Sequence, residues 1–239
     1  MSVAAHYETL LAEHYSWMGG PFEEGVAAQR ALLSALGIEG RGRALDLGCG
    51  AGLQSVALAE LGYAVTAIDT SRKLLDELET RGGRLPIATL EGDIAGVATL
   101  AEPGFQIAVC MGDTLTHLPS VAAVERMFDG VACVLAPSGL FVLTFRDLTV
   151  PLTGTDRFIP VRSDADRIMT CFLEYEPETV LVHDLIHIRR GTEWVLNKSS
   201  YRKLRLAPDW VTSVLEARGF SVVSNGPSGR MTMIVARRN

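Results

Sequence analysis

Two rhythms of apolar residues run along this chain. Between residues 40 and 146, short apolar runs near 43–47, 63–68, 85–90, 105–111 and 139–145 alternate with segments near 52–61, 71–80 and 121–135. In those segments apolar residues recur every three or four positions. Short runs bounded by turn residues predict buried strands, and the longer spacing predicts amphipathic helices. Strands and helices in alternation predict a parallel sheet with right-handed crossovers. Ser71 precedes the second helix, where its hydroxyl is expected to accept from a free amide of the first turn.

The flanks read differently. Val3, Tyr7, Leu10, Leu11, His14, Trp17 and Met18 fall at helical spacing over 3–18, and Gly19-Gly20 stops that helix. Pro21 suits the start of a second helix, which carries Phe22, Val26, Arg30, Leu33 and Leu36 and ends at Gly37. Beyond Arg146, residues 147–166 are rich in Asp, Thr, Pro and Arg, with turn signals at Pro151, Gly154 and Pro160. Strand-like runs at 167–176, 179–189 and 193–206 follow, split by Pro177-Glu178 and Arg190-Gly191, and predict an antiparallel meander. Pro208 opens a helix with Trp210, Val211, Val214 and Leu215, and a last hairpin is expected around Gly226-Pro227.

With 239 residues, 48% of them apolar, the chain suffices for one domain with a large core. Its expected parts are a helical cap (1–39), a core (40–146), an inserted β lid (147–206) and a closing helix and hairpin (207–239). No segment approaches the ~18 consecutive apolar residues of a membrane span. The N-terminus lacks the basic-then-apolar pattern of a secretory signal. Cys49, Cys110, Cys133 and Cys171 are scattered, which fits free thiols in the cytoplasm. The formal charge of −6 is uneven: residues 1–146 carry 9 basic and 17 acidic groups, residues 147–239 carry 13 and 11. The one candidate basic footprint, Lys198, Arg202, Lys203 and Arg205 around Tyr201, reads as the solvated face of an edge strand. A small-molecule substrate is therefore expected, with no nucleic acid and no membrane partner; a homodimer is compatible with the sequence.

The chemistry concentrates in ALDLGCGAG at 44–52 and VTAIDTS at 65–71. A strand ends in Asp46, glycines follow at 48, 50 and 52, and a second strand ends in Asp69. Glycines let a ligand approach the backbone, and an acid at the tip of the next strand suits the vicinal hydroxyls of a ribose. In the dinucleotide pattern G-x-G-x-x-G the third small residue would fall at Leu53; here it comes one position earlier, at Gly52. The resulting D-x-G-x-G-x-G resembles the first motif of the class I S-adenosylmethionine (SAM)-dependent methyltransferases. VTAIDTS resembles their ribose-binding motif, through Asp69. EGDI at 91–94 resembles their adenine-contacting segment, through Asp93 and Ile94. IAVCMGDTLTHL (107–118) is similar to their fourth strand and its substrate-facing end, and LAPSGLFVLTF (135–145) to the turn and fifth strand.

The resemblance implies an α/β fold, a Rossmann-like doubly wound seven-stranded sheet with an antiparallel last strand, to which the helical cap and β lid are added. It implies SAM as cofactor, held by Asp46, Gly48, Gly50, Asp69, Thr70, Asp93, Ile94 and Met111, and needs no metal. The residues nearest the methyl would be Met111 to Thr114 and His117, with His117 and Asp113 as catalytic candidates. Tyr7, Tyr15 and Trp17 are expected to close over the sulfonium and substrate, because aromatic faces favour a cation. Arg146 is expected to pair an anionic substrate group, the alternative being a salt bridge with Asp147 or an acid of the lid. Adenine-methylating enzymes carry Asn/Asp-Pro-Pro-aromatic after the fourth strand and arginine-methylating ones a glutamate pair; neither is present. The segment is more similar to that of glycine and sarcosine N-methyltransferases, with Asp113 in place of their Asn. The expected reaction is methyl transfer to N or O of a small molecule. The alternatives are an RNA methyltransferase using strand 198–205, or a protein that holds SAM or S-adenosylhomocysteine (SAH) without turnover. His183 and His187 share a strand face but lack a third ligand and read as structural, as do His6 and His14 on the first helix.

Overall fold

A computed structural model describes His6 and residues 10–239; Val3 and Tyr7 lie outside the described residues. Strand β1 (Gly42–Leu47) is buried from Ala44 onwards, as a parallel strand covered on both faces must be. It pairs in parallel with β2 (Tyr63–Asp69) and β4 (Phe105–Cys110). Strand β3 (Ile87–Glu91) extends the sheet beside β2, and β5 (Leu135–Phe145) lies beside β4. The long excursion to the second sheet described below then returns as β10 (Phe220–Ser228) and β11 (Met231–Arg238). The order is β10-β11-β5-β4-β1-β2-β3, with β11 antiparallel to β5. This is the seven-stranded doubly wound sheet expected from the sequence.

Helices cover both faces. On one side α1 (Ala12–Gly19) and α2 (Phe22–Ala35) lead into the sheet, and α3 (Leu53–Glu60) and α4 (Arg72–Gly82) follow β1 and β2. On the other lie α5 (Val97–Leu100), α6 (Val121–Val134) and α7 (Pro208–Glu216). Phe105, Phe128, Phe141, Phe145 and Phe220 are fully buried. Phe141 meets Phe128 edge-on at 6.0 Å and Phe220 at 6.1 Å. Burial of each such ring stabilises the fold by about 1.5–3 kcal/mol.

The second sheet, between β5 and α7, has four antiparallel strands: β6 (Phe158–Ser163), β7 (Arg167–Tyr175), β8 (Thr179–Arg190) and β9 (Glu193–Leu204), in that order. On β8, Val180, Val182, Asp184 and Ile186 alternate as the buried face. Three strands match the expected meander, whereas β6 falls in the stretch read as turns. Pro160 disguised it: proline is tolerated on an edge strand, and β6 is an edge with a register shift between Pro160 and Arg162. Two further corrections concern turns. The final hairpin turns at Gly229-Arg230, not at Gly226-Pro227, because Pro227 is accommodated within the edge strand β10. Ser71 occupies the cap position of α4 but its hydroxyl makes no capping hydrogen bond.

The basic run at 198–205 is not one solvated face. Lys203 is buried, and Arg205 is half-buried, donating to the carbonyls of Leu148, Thr149, Glu176 and Pro177. Its planar fork stitches the segment leaving β5 to the β7–β8 turn. Arg202 is exposed and pairs with Glu176. Arg205→Lys should therefore cost about 1–3 kcal/mol in denaturant-induced unfolding, since an ammonium cannot span four carbonyls. Arg202→Ala should leave the midpoint unchanged.

Candidate active site

The carboxyl ends of β1, β2, β3 and β4 converge where strand order reverses, between β1 and β4. A cavity of about 490 Å³ opens there. Gly48, Gly50, Asp69, Thr70, Asp93 and Ile94 line one side, Thr114 and His117 to Pro119 the next, and Thr179 and Arg202 to Leu204 of the second sheet another. Tyr15 of α1 completes the lining.

The glycine loop needs its glycines. Gly48 and Gly50 have φ of +73° and +52°, and a Cβ on Gly48 would lie 2.2 Å from the Thr114 methyl. A Cβ on Gly50 would meet the Tyr15 hydroxyl at 2.8 Å, so α1 closes directly on the loop. Asp69 accepts from the amides of Gly50 (2.8 Å) and Ser71 (2.9 Å). The carboxylate has acceptor capacity beyond these donors, and the group lines the cavity. Burial raises the Asp69 pKa, against the amide donors that lower it. Asp93 accepts from Ala95 N at 2.9 Å, capping the short helical turn at Ile94–Gly96, and also lines the cavity.

Several expected site residues lie behind the wall. Asp46 is buried and accepts from the Ser55 hydroxyl at 2.6 Å, tying β1 to α3. Burial pushes its pKa up to about 7. Met111 is buried in the core cluster that also holds Ala57 and Val109. Trp17 points the other way from the expectation. Its indole donates to Asp164 at 2.5 Å and lies under Arg167 at 4.6 Å, joining α1 to the second sheet away from the cavity. Tyr15, two residues earlier on the helix, is the aromatic residue that reaches the loop. Cys49 is a buried filler whose thiol is raised by burial and then by Asp46 and Asp69.

Asp113 is not a free carboxylate facing an acceptor. It accepts from Lys203 Nζ (2.5 Å), Arg146 Nη1 (2.8 Å), Arg146 N (3.0 Å) and Thr116 Oγ1 (3.1 Å). Burial raises its pKa, but Lys203, Arg146 and His117 together hold it below the usual carboxylate range. Arg146 thus has its partner in Asp113, a residue sequence reasoning had not paired with it. His117 is brought to the cavity, and burial, then Lys203, lowers its pKa to about 3; its imidazole is neutral at physiological pH. Lys203, Thr179 and Arg202 were missed as lining residues. The alternation of β9 shows which residues share a face, not what that face covers. His6, expected as partly buried and structural, is fully buried and bonded to Asp184 at 2.8 Å. Among the described residues no group of three His, Cys, Asp or Glu side chains is placed to hold a metal ion, and no helix is long and apolar enough to cross a membrane.

A family model described as "Methyltransferase domain" matches residues 44–139. Over 190 residues, 72% of this chain and 76% of the relative, the sequence is 30% identical to the cypemycin N-terminal methyltransferase of a Streptomyces species. The chain belongs to the class I SAM-dependent methyltransferases. Glycine N-methyltransferase of Rattus norvegicus is 31% identical over 129 residues, a match spanning 48% of this methyltransferase and 44% of that one. The SAM-bound structure of CalS10 from Micromonospora echinaspora, an amino pentose methyltransferase of calicheamicin biosynthesis, has the same fold. Its TM-score is 0.69 at 17% identity, over 98% of this methyltransferase and 97% of that chain. The residues present suit SAM: two positive-φ glycines on the cavity wall with no side chain between backbone and ligand, and a carboxylate beside them.

Asp46 gives the methyltransferase a pH signature. Its folded pKa lies above its unfolded one, so the stability it contributes is full below about pH 4 and lost as pH rises through about 7. Asp46→Asn should flatten the stability curve between those limits and stabilise the ligand-free protein at pH 8, by on the order of 2–4 kcal/mol. Chemical denaturation across pH 4–8 measures this, and an unaltered slope would refute it.

Proposed function

We propose that this methyltransferase transfers the SAM methyl group to a nitrogen or oxygen of a small molecule, with an amine nitrogen as the leading acceptor. The observation that carries the reading is the cavity itself. It runs from the glycine loop, Asp69 and Asp93 to His117 and Lys203 beneath the second sheet, which acts as a lid. Asp69 would hold the ribose, Thr70, Asp93 and Ile94 the adenine end, and Gly48 and Gly50 the backbone-lined approach to the methionine end. Asp46 and Met111 support the loop from behind.

When bound, SAM supplies a methyl group on a sulfonium, ready for in-line displacement by an acceptor lone pair. The protein's own part is positioning and exclusion of water. His117, neutral and half-buried, offers a hydrogen bond to the acceptor without competing for its proton. Arg146 and Lys203 both pair with Asp113, so neither cation presents an unpaired charge to the acceptor, which suits a neutral amine. Relatives that act on an N-terminus, on glycine or on an amino pentose support the amine. Against an RNA substrate stand Lys203, turned inward, and Arg205, engaged by four carbonyls. Of the basic run, Lys198 and Arg202 are exposed. The four free cysteines support a cytoplasmic setting.

A panel of metabolite amines, acids and phenols, followed by SAM consumption, tests the reaction, and turnover confined to RNA would overturn it. Asp69→Ala should weaken SAH binding roughly ten- to a hundredfold in calorimetry while the fold survives, through loss of hydrogen bonds to a charged acceptor. For an amine acceptor, kcat/KM should rise with pH along the acceptor's own ammonium titration. A limb near pH 6.5 that disappears in His117→Gln would contradict the neutral imidazole.

A further inference from the structure

Asp184 lies on the inner face of β8 with 1% exposure, and His6 has none. A carboxylate this deep persists only with partners. Asp184 has the His6 imidazole at 2.8 Å on one oxygen and the Cys171 thiol, donating at 2.8 Å, on the other. Neither His6 nor Asp184 lines the cavity, yet a file of packed rings leads from them to its wall. The His6 ring stacks on Tyr201 with centroids 4.3 Å apart and 32° between planes. Tyr201 meets His117 edge-on at 5.4 Å, and His117 faces the cavity. A carboxylate that bonds one imidazole nitrogen fixes the ring's orientation, as it does for catalytic and metal-bound histidines. Here the oriented ring presses on a tyrosine instead of on a substrate.

We propose that Asp184 and His6 are positioning residues for methyl transfer, which fix Tyr201 and, through it, His117 as the wall against which the acceptor is aligned. The proposal rests on the reading that the cavity takes SAM together with a small-molecule amine. Alignment is what such a reaction asks of the protein, and a misplacement of about 1 Å can cost a hundredfold in rate.

The test uses His6→Ala, Asp184→Ala and Asp184→Asn in the full chain. Three measurements apply: SAH affinity by calorimetry, kcat and KM with the panel amine that wild type methylates fastest, and the ring resonances of His117 in 15N-histidine spectra, assigned with His117→Gln. Both alanine variants should lose about ten- to a hundredfold in kcat, keep SAH affinity within about threefold, and shift the His117 signal. Asp184→Asn, whose amide oxygen still accepts from His6, should recover most of the loss. Wild-type kcat in both alanine variants, or an unmoved His117 signal, overturns the proposal. So does a parallel loss of SAH affinity, the mark of a purely structural clamp. Should Asp184→Ala fail to fold, His6→Gln decides by the same criteria. If wild type methylates no amine, the amine reading of the proposed function fails at that step, while the His117 signal in the SAH-bound protein still decides the positioning role.

Discussion

A single carboxylate surrounded by donors holds the two sheets in register. Asp113 leaves the end of β4, Arg146 the end of β5, and Lys203 comes from β9 of the second sheet, and both cations lie within 2.8 Å of the Asp113 carboxylate. Burial alone would make Asp113 a weak acid, but the neighbouring cations prevail and keep it ionised. That is the regime in which removing one partner of a buried pair is costly, about 3–5 kcal/mol, although the pair as a whole contributes little. The geometry of the cavity follows from it. Lys203 meets Asp113 at the strand ends, and that contact ties the roof of the cavity to the main sheet.

The N-terminal helix is the second tie across the same gap. Ser16 donates to Glu77, and Arg81 reaches back to Ser16, which fastens α1 to the core. Leu11 packs with Met169 and Ile186, and Trp17 bonds Asp164, which fastens the same helix to the second sheet. Tyr15 sits between these attachments, directly over Gly50. One short helix therefore senses both walls of the cavity.

What the sequence disclosed about the site was whatever chemistry is local. The glycine loop, Asp69 and Asp93 occupy consecutive strand ends, and their roles depend on backbone positions a few residues apart. Tyr15 and Trp17 show where that reasoning stops. Positions two apart on a helix point roughly 200° apart, so one reached the loop and the other the second sheet, and nothing in the pattern said which. Arg146, Lys203 and Asp113 are separated by long stretches of chain, and a pairing of that kind leaves no periodic trace. The same holds for His6 and Asp184. Strand β6 was hidden because an exposed edge needs no alternation, and its proline reads as a turn. The main sheet, by contrast, was legible almost throughout, because a strand buried on both faces must be apolar along its length.

The connection between β5 and β11 has a consequence for how the chain reaches this state. These neighbours pair residue by residue, Leu143 with Ile234 and Val142 with Val235, yet about 90 residues separate them. Closing so long a loop on a disordered chain would be slow, since contacts distant in sequence must await a rare encounter. The intervening strands, however, pair only with their successors, β6 with β7, β7 with β8 and β8 with β9. Such a meander zips from its own turns without help from the rest of the protein. Once formed, it gathers the two ends of the excursion, with Arg205 clasping the outgoing segment at Leu148 and Thr149. The effective span left to close shrinks to the helix and hairpin that follow, so the roof of the cavity also serves as the scaffold on which the last strands find their place.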